Sequence, residues 1–194
     1  IFMVGNHPAR IQEIIQKRGI RKLIHFTKLK NLESIYKYGI LSRDQIEKEK
    51  IQVEFNDNWR RDTWLKTSSF SVTKKNSYLF NVFVERYKTQ ERDWVEKLIS
   101  PSILTERKCI FCDHNAASRQ FDIFRENPKT LSGPEVFESM FNDKVFRTNG
   151  CDVRTNLSDD LTTSNQAEIC IYGEIKKEYF LNLREIEKKV KSNG

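Results

Sequence analysis

The chain has 194 residues, 38% of them hydrophobic with 13 Phe, 6 Tyr and 3 Trp, enough for one real core and unlike a disordered polymer. No apolar run reaches the 18 residues of a membrane span, and four cysteines are too few for a disulfide scaffold. A net charge of +7 favours nucleic acid through counterion release, although a well-solvated basic enzyme carries the same charge.

Ile1 to Gly5 is apolar but short, and Lys and Arg follow it rather than precede it, the reverse of a secretory signal. A cytoplasmic, reduced protein is the simplest expectation. Pro8 to Arg18 reads as a helix, with Ile11, Ile14 and Ile15 on one face and Gly19 ending it. Lys22 to Phe26 reads as a short strand, and Leu29 to Tyr38 as a helix stopped by Gly39. Ser42 to Gln45 is a capping box opening a further short helix, whose continuation Ile46 to Lys50 is charged and exposed. Asn56 to Asp62 is turn-forming and reads as a loop.

Thr67 to Val72 mixes small hydroxyl residues with Phe70 and Val72, the pattern of a strand with one polar face. Asn76 to Tyr87 reads as an apolar helix, Trp94 to Ile99 and Lys108 to Phe111 as strands, and Gly133 to Phe141 as a helix. The Asn, Asp, Thr and Ser of Asn149 to Asn165 mark a loop leading into a strand over Ala167 to Tyr172. Glu178 to Lys191 mixes both periods and yields no assignment. With no repeat, linker or regular βαβ series, the expectation is a single α+β domain over residues 1–194.

The strongest local signal is Thr163-Ser-Asn-Gln-Ala-Glu168, where Gln166 and Glu168 stand two apart. On an extended backbone they would point to the same side, a carboxylate for a ribose hydroxyl beside an amide for an acceptor. Three letters alone more often describe a surface pair with no role. His25 and Thr27 share one side of an otherwise apolar strand, and Ser68 to Ser71 places hydroxyls in another. Singly these are ordinary core or strand groups. Together, polar residues converging from three strands resemble the wall of a ligand pocket.

Arg60 and Arg61 lie beside Trp59, where they could grip a phosphate or stack on a base, or simply be solvated. Cys109-x2-Cys112 is half a zinc knuckle without its second half, so buried free thiols are expected and no metal. There is no G-x-G-x-x-G, no phosphate-binding P-loop, no G-x-S-x-G and no H-E-x-x-H. Any NAD used here is not bound in a Rossmann crevice for hydride transfer.

Five blocks in one order resemble the DarT family, the toxin half of DarT–DarG toxin–antitoxin systems. They are "LIHFTKLKNLESIYKYGILS", "RRD" followed by "SSFSVTKKNSYLF", "CIFCDHNAAS", "EVFESMF" and "TTSNQAEICIYGEIKKEYF". The resemblance runs from about His25 to Tyr179 and implies an ADP-ribosyltransferase-like fold: a split mixed β-sheet core, surrounding helices and an NAD cleft. It implies transfer of ADP-ribose from NAD, as a consumed co-substrate, to a base of single-stranded DNA.

By the same resemblance Glu168 is the catalytic carboxylate, with Arg60 assisting it. His25, Phe26, Thr27, Ser34, Ser42, Arg60 and Ser71 would hold NAD, while Gln166, Arg61 and Asn76 would meet the acceptor. Lys75-Asn76 stands where the family has Pro-Asn, which affects a turn more than the chemistry. A macrodomain antitoxin of the DarG type would be the partner of a monomeric toxin. The alternatives are an RNA acceptor in a defence system, and a non-catalytic nucleic-acid-binding module of the same fold.

Overall fold

The computed structural model describes residues 7–193, and the side chains of residues 7–191. The expectation drawn from Ile1 to Gly5 therefore lies outside the described residues. In chain order the elements are α1 (His7–Arg18), β1 (Leu23–Lys28), α2 (Leu32–Tyr38), α3 (Arg43–Lys48), β2 (Thr67–Val72), α4 (Ser77–Arg86) and β3 (Trp94–Ile99). They continue with α5 (Ile103–Glu106), β4 (Cys109–Cys112), α6 (Pro134–Ser139), β5 (Lys144–Arg147), β6 (Gly150–Val153), β7 (Glu168–Tyr172) and α7 (Leu183–Asn193).

Local chemistry explains the boundaries. Ile11, Ile14 and Ile15 of α1 are buried at helical spacing, and Ser42 with Gln45 forms the capping box of α3. Asn76 caps α4 by accepting the Leu79 amide on its side chain at 2.9 Å. Gly39 closes α2 with φ +81, and a Cβ there would fall 2.5 Å from the Ile175 carbonyl, so no other residue fits that turn.

Five strands form one sheet in the order β3-β1-β2-β7-β4, and every pair among them is antiparallel. The expected split is present, while the expected mixed pairing is corrected: all four neighbouring pairs run antiparallel, the arrangement whose perpendicular hydrogen bonds are slightly more stable per residue than the slanted bonds of parallel strands. Six residue pairs join β1 to β3, but only Leu23↔Val72 and Ile24↔Ser71 join β1 to β2. Beyond Ile24 the two strands part, and the sheet opens along β1.

Another correction concerns Asn149 to Asn165, expected as a loop throughout. Its first residues form β6, which pairs with β5 across a two-residue Thr148-Asn149 turn entering Gly150 at φ +117. Polar composition hid a hairpin in which only Val145 is buried. The segment Glu178 to Lys191, which yielded no assignment, runs into α7, whose Ile186 is buried in the main core with Tyr179 and Phe180.

Strand β7 is buried on both faces. Ile169 and Ile171 point into the main core with Leu23, Phe70 and Ile99. Cys170 points the other way, into a second cluster with Trp64, Ile110, Cys112, Ala116 and Phe121. Its alternation therefore marks two different buried environments, and Glu168 stands on the Cys170 side.

Candidate active site

Where β1 and β2 part, a cleft of about 590 Å³ opens. Its wall takes His25, Phe26 and Thr27 from β1, Ser34 from α2, the loop from Glu54 to Asp62, residues 67–71 of β2, Asn76, Asn115, Ala117 and Glu168. Of the residues singled out from the sequence, His25, Phe26, Thr27, Ser34, Arg60, Arg61, Ser71, Asn76 and Glu168 meet here. Ser42 and Gln166 do not line the cleft.

Glu168 begins β7 directly opposite Cys112 and is only 7% exposed. Its Oε2 accepts the Ala116 backbone N–H at 2.8 Å. No other protein hydrogen bond is made to this carboxyl among the described residues, so its second oxygen is available to a ligand. Burial pushes its pKa up to about 7, the Ala116 N–H opposes this, and the nearby Asp62 charge adds to the rise.

His25 bridges the split, with Nδ1 3.0 Å from the Ser69 carbonyl. A carbonyl only accepts, so Nδ1 carries the proton and Nε2 presents a lone pair. Burial holds the imidazole pKa below its usual value, and the positive charges of Lys97 and Arg60 push the same way. A neutral ring with an open acceptor suits a sugar hydroxyl. Asn76 supplies the complementary group: its Oδ1 caps α4, whereas its buried Nδ2 has no protein partner. Such a donor costs free energy unless a ligand or water takes it.

Thr27 accepts a hydrogen bond from Asn31 Nδ2 at 3.0 Å, and Ser71 Oγ accepts the Asn76 amide at 3.2 Å. Both shape the wall chiefly by holding neighbours. Phe26 packs edge-on against Phe80, centroids 5.4 Å apart, and belongs as much to an aromatic cluster with Phe83 and Trp94 as to the cleft.

Arg60 lies in the wall with φ +38 and is heavily engaged. Its Nε reaches Asp62 Oδ1, its Nη1 the Thr67 carbonyl, and its Nη2 both the Trp64 carbonyl and Thr67 Oγ1, at 2.8–3.3 Å. These contacts use four of a guanidinium's five N–H groups, leaving one on Nη1. Arg60 thus braces the loop while keeping its charge near Glu168. Arg61 lines the same cleft and is exposed.

The structure also shows why two residues stay apart from this group. Ser42 is 2% exposed and committed to the cap of α3. Gln166 lies in a turn, its amide 3.3 Å from Ser164 Oγ and the next amide bonded to the Ser164 carbonyl at 3.2 Å. Extended backbone begins only at Glu168, so the same-side argument from a spacing of two does not hold.

Residues that the sequence reading left without a role support the carboxylate. The loop Asn115-Ala-Ala-Ser118 delivers its amide to Glu168, and Arg125 clamps that loop through the Ala116 carbonyl at 2.6 Å and the Ser118 carbonyl at 3.1 Å. Buried Asp62 receives Arg60 and the Trp64 amide. A backbone donor has no side-chain signature, which is why composition and spacing pass over Ala116. Among the described residues no cluster of His, Cys, Asp or Glu could hold a metal, and no helix is long and apolar enough to cross a membrane.

The family model described as "ssDNA thymidine ADP-ribosyltransferase, DarT" matches residues 24–192. Among solved structures, the chain is similar to Thermosipho africanus DarTG in complex with ADP-ribose, with a TM-score of 0.52 and 15% identity. The match covers 88% of this chain and 47% of that one, so the chain spans about half the length of that relative. At this identity the likeness concerns the fold. No curated protein sequence matches. With a family match over residues 24–192 and the split-sheet cleft holding a buried glutamate, the chain belongs to the DarT family of ssDNA thymidine ADP-ribosyltransferases.

Proposed function

We propose that the chain transfers ADP-ribose from NAD to a thymidine base of single-stranded DNA, with Glu168 as the catalytic carboxylate. The observation that carries this reading is a buried carboxylate with one oxygen fixed by the Ala116 amide and the other open to the cleft. NAD fits the donor set: His25 Nε2 is an acceptor for a ribose hydroxyl, and Asn76 Nδ2 is an unsatisfied buried donor. The cleft volume of about 590 Å³ lies within the range for small-molecule sites.

In the proposed reaction the bond from the anomeric carbon to the nicotinamide nitrogen breaks, and nicotinamide leaves as a neutral molecule. Positive charge spreads over the sugar ring as it does so. An ionised Glu168, held in place beforehand, stabilises that charge and anchors a ribose hydroxyl. Thymine in thymidine has one N–H, at N3. Attack from N3 forms the new C–N bond, and the N3 proton passes to water. Single strands suit the task because no unstacking is required before a base enters the site.

The solved relative is named DarTG, and a macrodomain antitoxin of the DarG type is the partner we assign to a toxin of this kind. Single-domain, monomeric behaviour in the cytoplasm belongs to the same proposal. Labelled NAD with short DNA and RNA oligonucleotides, scored by intact mass, tests the central step. A gain of about 541 Da on thymidine-containing DNA is expected. Gain on RNA alone would move the acceptor to transcripts, and no gain with NAD unconsumed would leave only a binding module.

A further inference from the structure

An exposed indole stands at the rim of the cleft. Trp59 is 82% exposed, whereas Trp64 and Trp94 are 6% and 7% exposed. It lines the cleft, and its backbone amide is tied to Asp57 Oδ1 at 3.1 Å. The next residue, Arg60, turns through φ +38 and sends its guanidinium inward to Asp62, Trp64 and Thr67. A non-glycine residue takes that conformation only when its surroundings enforce it. The loop is thus pinned immediately behind an indole that stays in solvent. Arg61 and Arg86 are exposed and line the same cleft, in a chain of net charge +7.

We propose that Trp59 is a stacking platform for a nucleobase of the bound DNA strand, one that neighbours the base being modified, with Arg61 and Arg86 facing the adjoining phosphates. The inference rests on the reading of this cleft as a single-strand site and adds a subsite to it. Glu168 is 7% exposed and Trp59 82% exposed in the same cleft, and we assign the stacked base and the modified base to these two depths. An aromatic face accepts any base by stacking, while neighbouring arginines track the backbone. The adenine of NAD offers the same π-face. Ser71 and Asn76 are buried and His25 is half-buried, which sets the NAD site deeper than the exposed indole, and the strand is therefore the occupant assigned.

The test uses the full chain carrying Glu168→Gln, which slows turnover, and a thymidine-containing DNA ten-mer. Because the other two indoles are buried, quenching of the exposed tryptophan signal reports on Trp59, and loss of that component in Trp59→Phe verifies the assignment. We expect quenching by the ten-mer, and none by NAD alone or by an abasic strand of equal length. Trp59→Ala should weaken strand binding about tenfold or more, Trp59→Phe should restore most of it, and the slope of affinity against salt should stay unchanged. Arg61→Ala and Arg86→Ala should lower that slope. Quenching by NAD alone, or unaltered affinity in a Trp59→Ala chain that melts normally, would overturn the stacking subsite. Failure of the parent to bind any strand would overturn the subsite and the single-strand reading together.

Discussion

At the scale of single residues, Glu168 sets both a chemical and a thermodynamic expectation. Its folded pKa of about 7 lies above the 4.5 of an ordinary carboxyl, so the native state keeps this proton longer than the unfolded chain. The associated stability is complete below pH 4.5 and is lost as pH rises through about 7. The gap corresponds to about 3 kcal/mol at most. Glu168→Gln should therefore gain in melting temperature over the parent as pH goes from 5 to 8; a constant difference would count against a strained carboxylate. Activity runs the opposite way. The ionised form faces the developing positive charge, so kcat/KM for NAD should climb through pH 7, and Glu168→Gln should lower kcat by about 100-fold or more. A flat pH profile would remove Glu168 from that role.

Elements explain what the residues alone do not. The loop from Arg154 to Gln166 leads into β7, and Arg154 secures it by donating to the Leu161 carbonyl at 2.6 Å and the Ser158 carbonyl at 2.7 Å. Arg154→Ala should free this loop. We expect a several-fold higher KM for the oligonucleotide with the KM for NAD little changed; equal loss of both would point to a general folding defect instead. Ser42 offers a contrasting test, because the resemblance assigns it to NAD while the structure commits it to the α3 cap. Ser42→Ala should cost about 1 kcal/mol of stability and leave the KM for NAD unchanged. A raised KM with unaltered melting would restore the cofactor role.

For the molecule as a whole, the attachment of α7 to the sheet contains an unusual group. Lys97 on β3 is fully buried, its Nζ has no hydrogen-bond partner, and it stands opposite His25 in the β1–β3 register. Burial lowers its pKa from 10.5 to about 8, with the Lys189 charge on α7 contributing in the same direction. Below pH 8 the fold carries the full cost of a buried ammonium. That cost is relieved as pH rises from 8 to 10.5, where the unfolded chain holds more protons than the native state. Lys97→Met should raise stability at pH 7 by about 3 kcal/mol, and the gain should shrink above pH 8 in chemical denaturation. A destabilised variant would show that the ammonium has a partner in solution.

Much was legible without coordinates, for a physical reason. Periodicity and caps are local, so α1, the α3 capping box, β2, α4, β3 and β7 could be placed from neighbours along the chain. A histidine, a threonine and a glutamate in apolar strands stood out because burial of polar groups is costly unless they have work to do. Tertiary structure alone decided the rest. It brought β1 and β2 together for two pairs and then apart, which makes the cleft. It delivered the Ala116 amide to Glu168 across 52 residues of chain and turned Gln166 away from the strand. Each of these depends on backbone groups or on long-range register, and neither leaves a mark in the spacing of side chains.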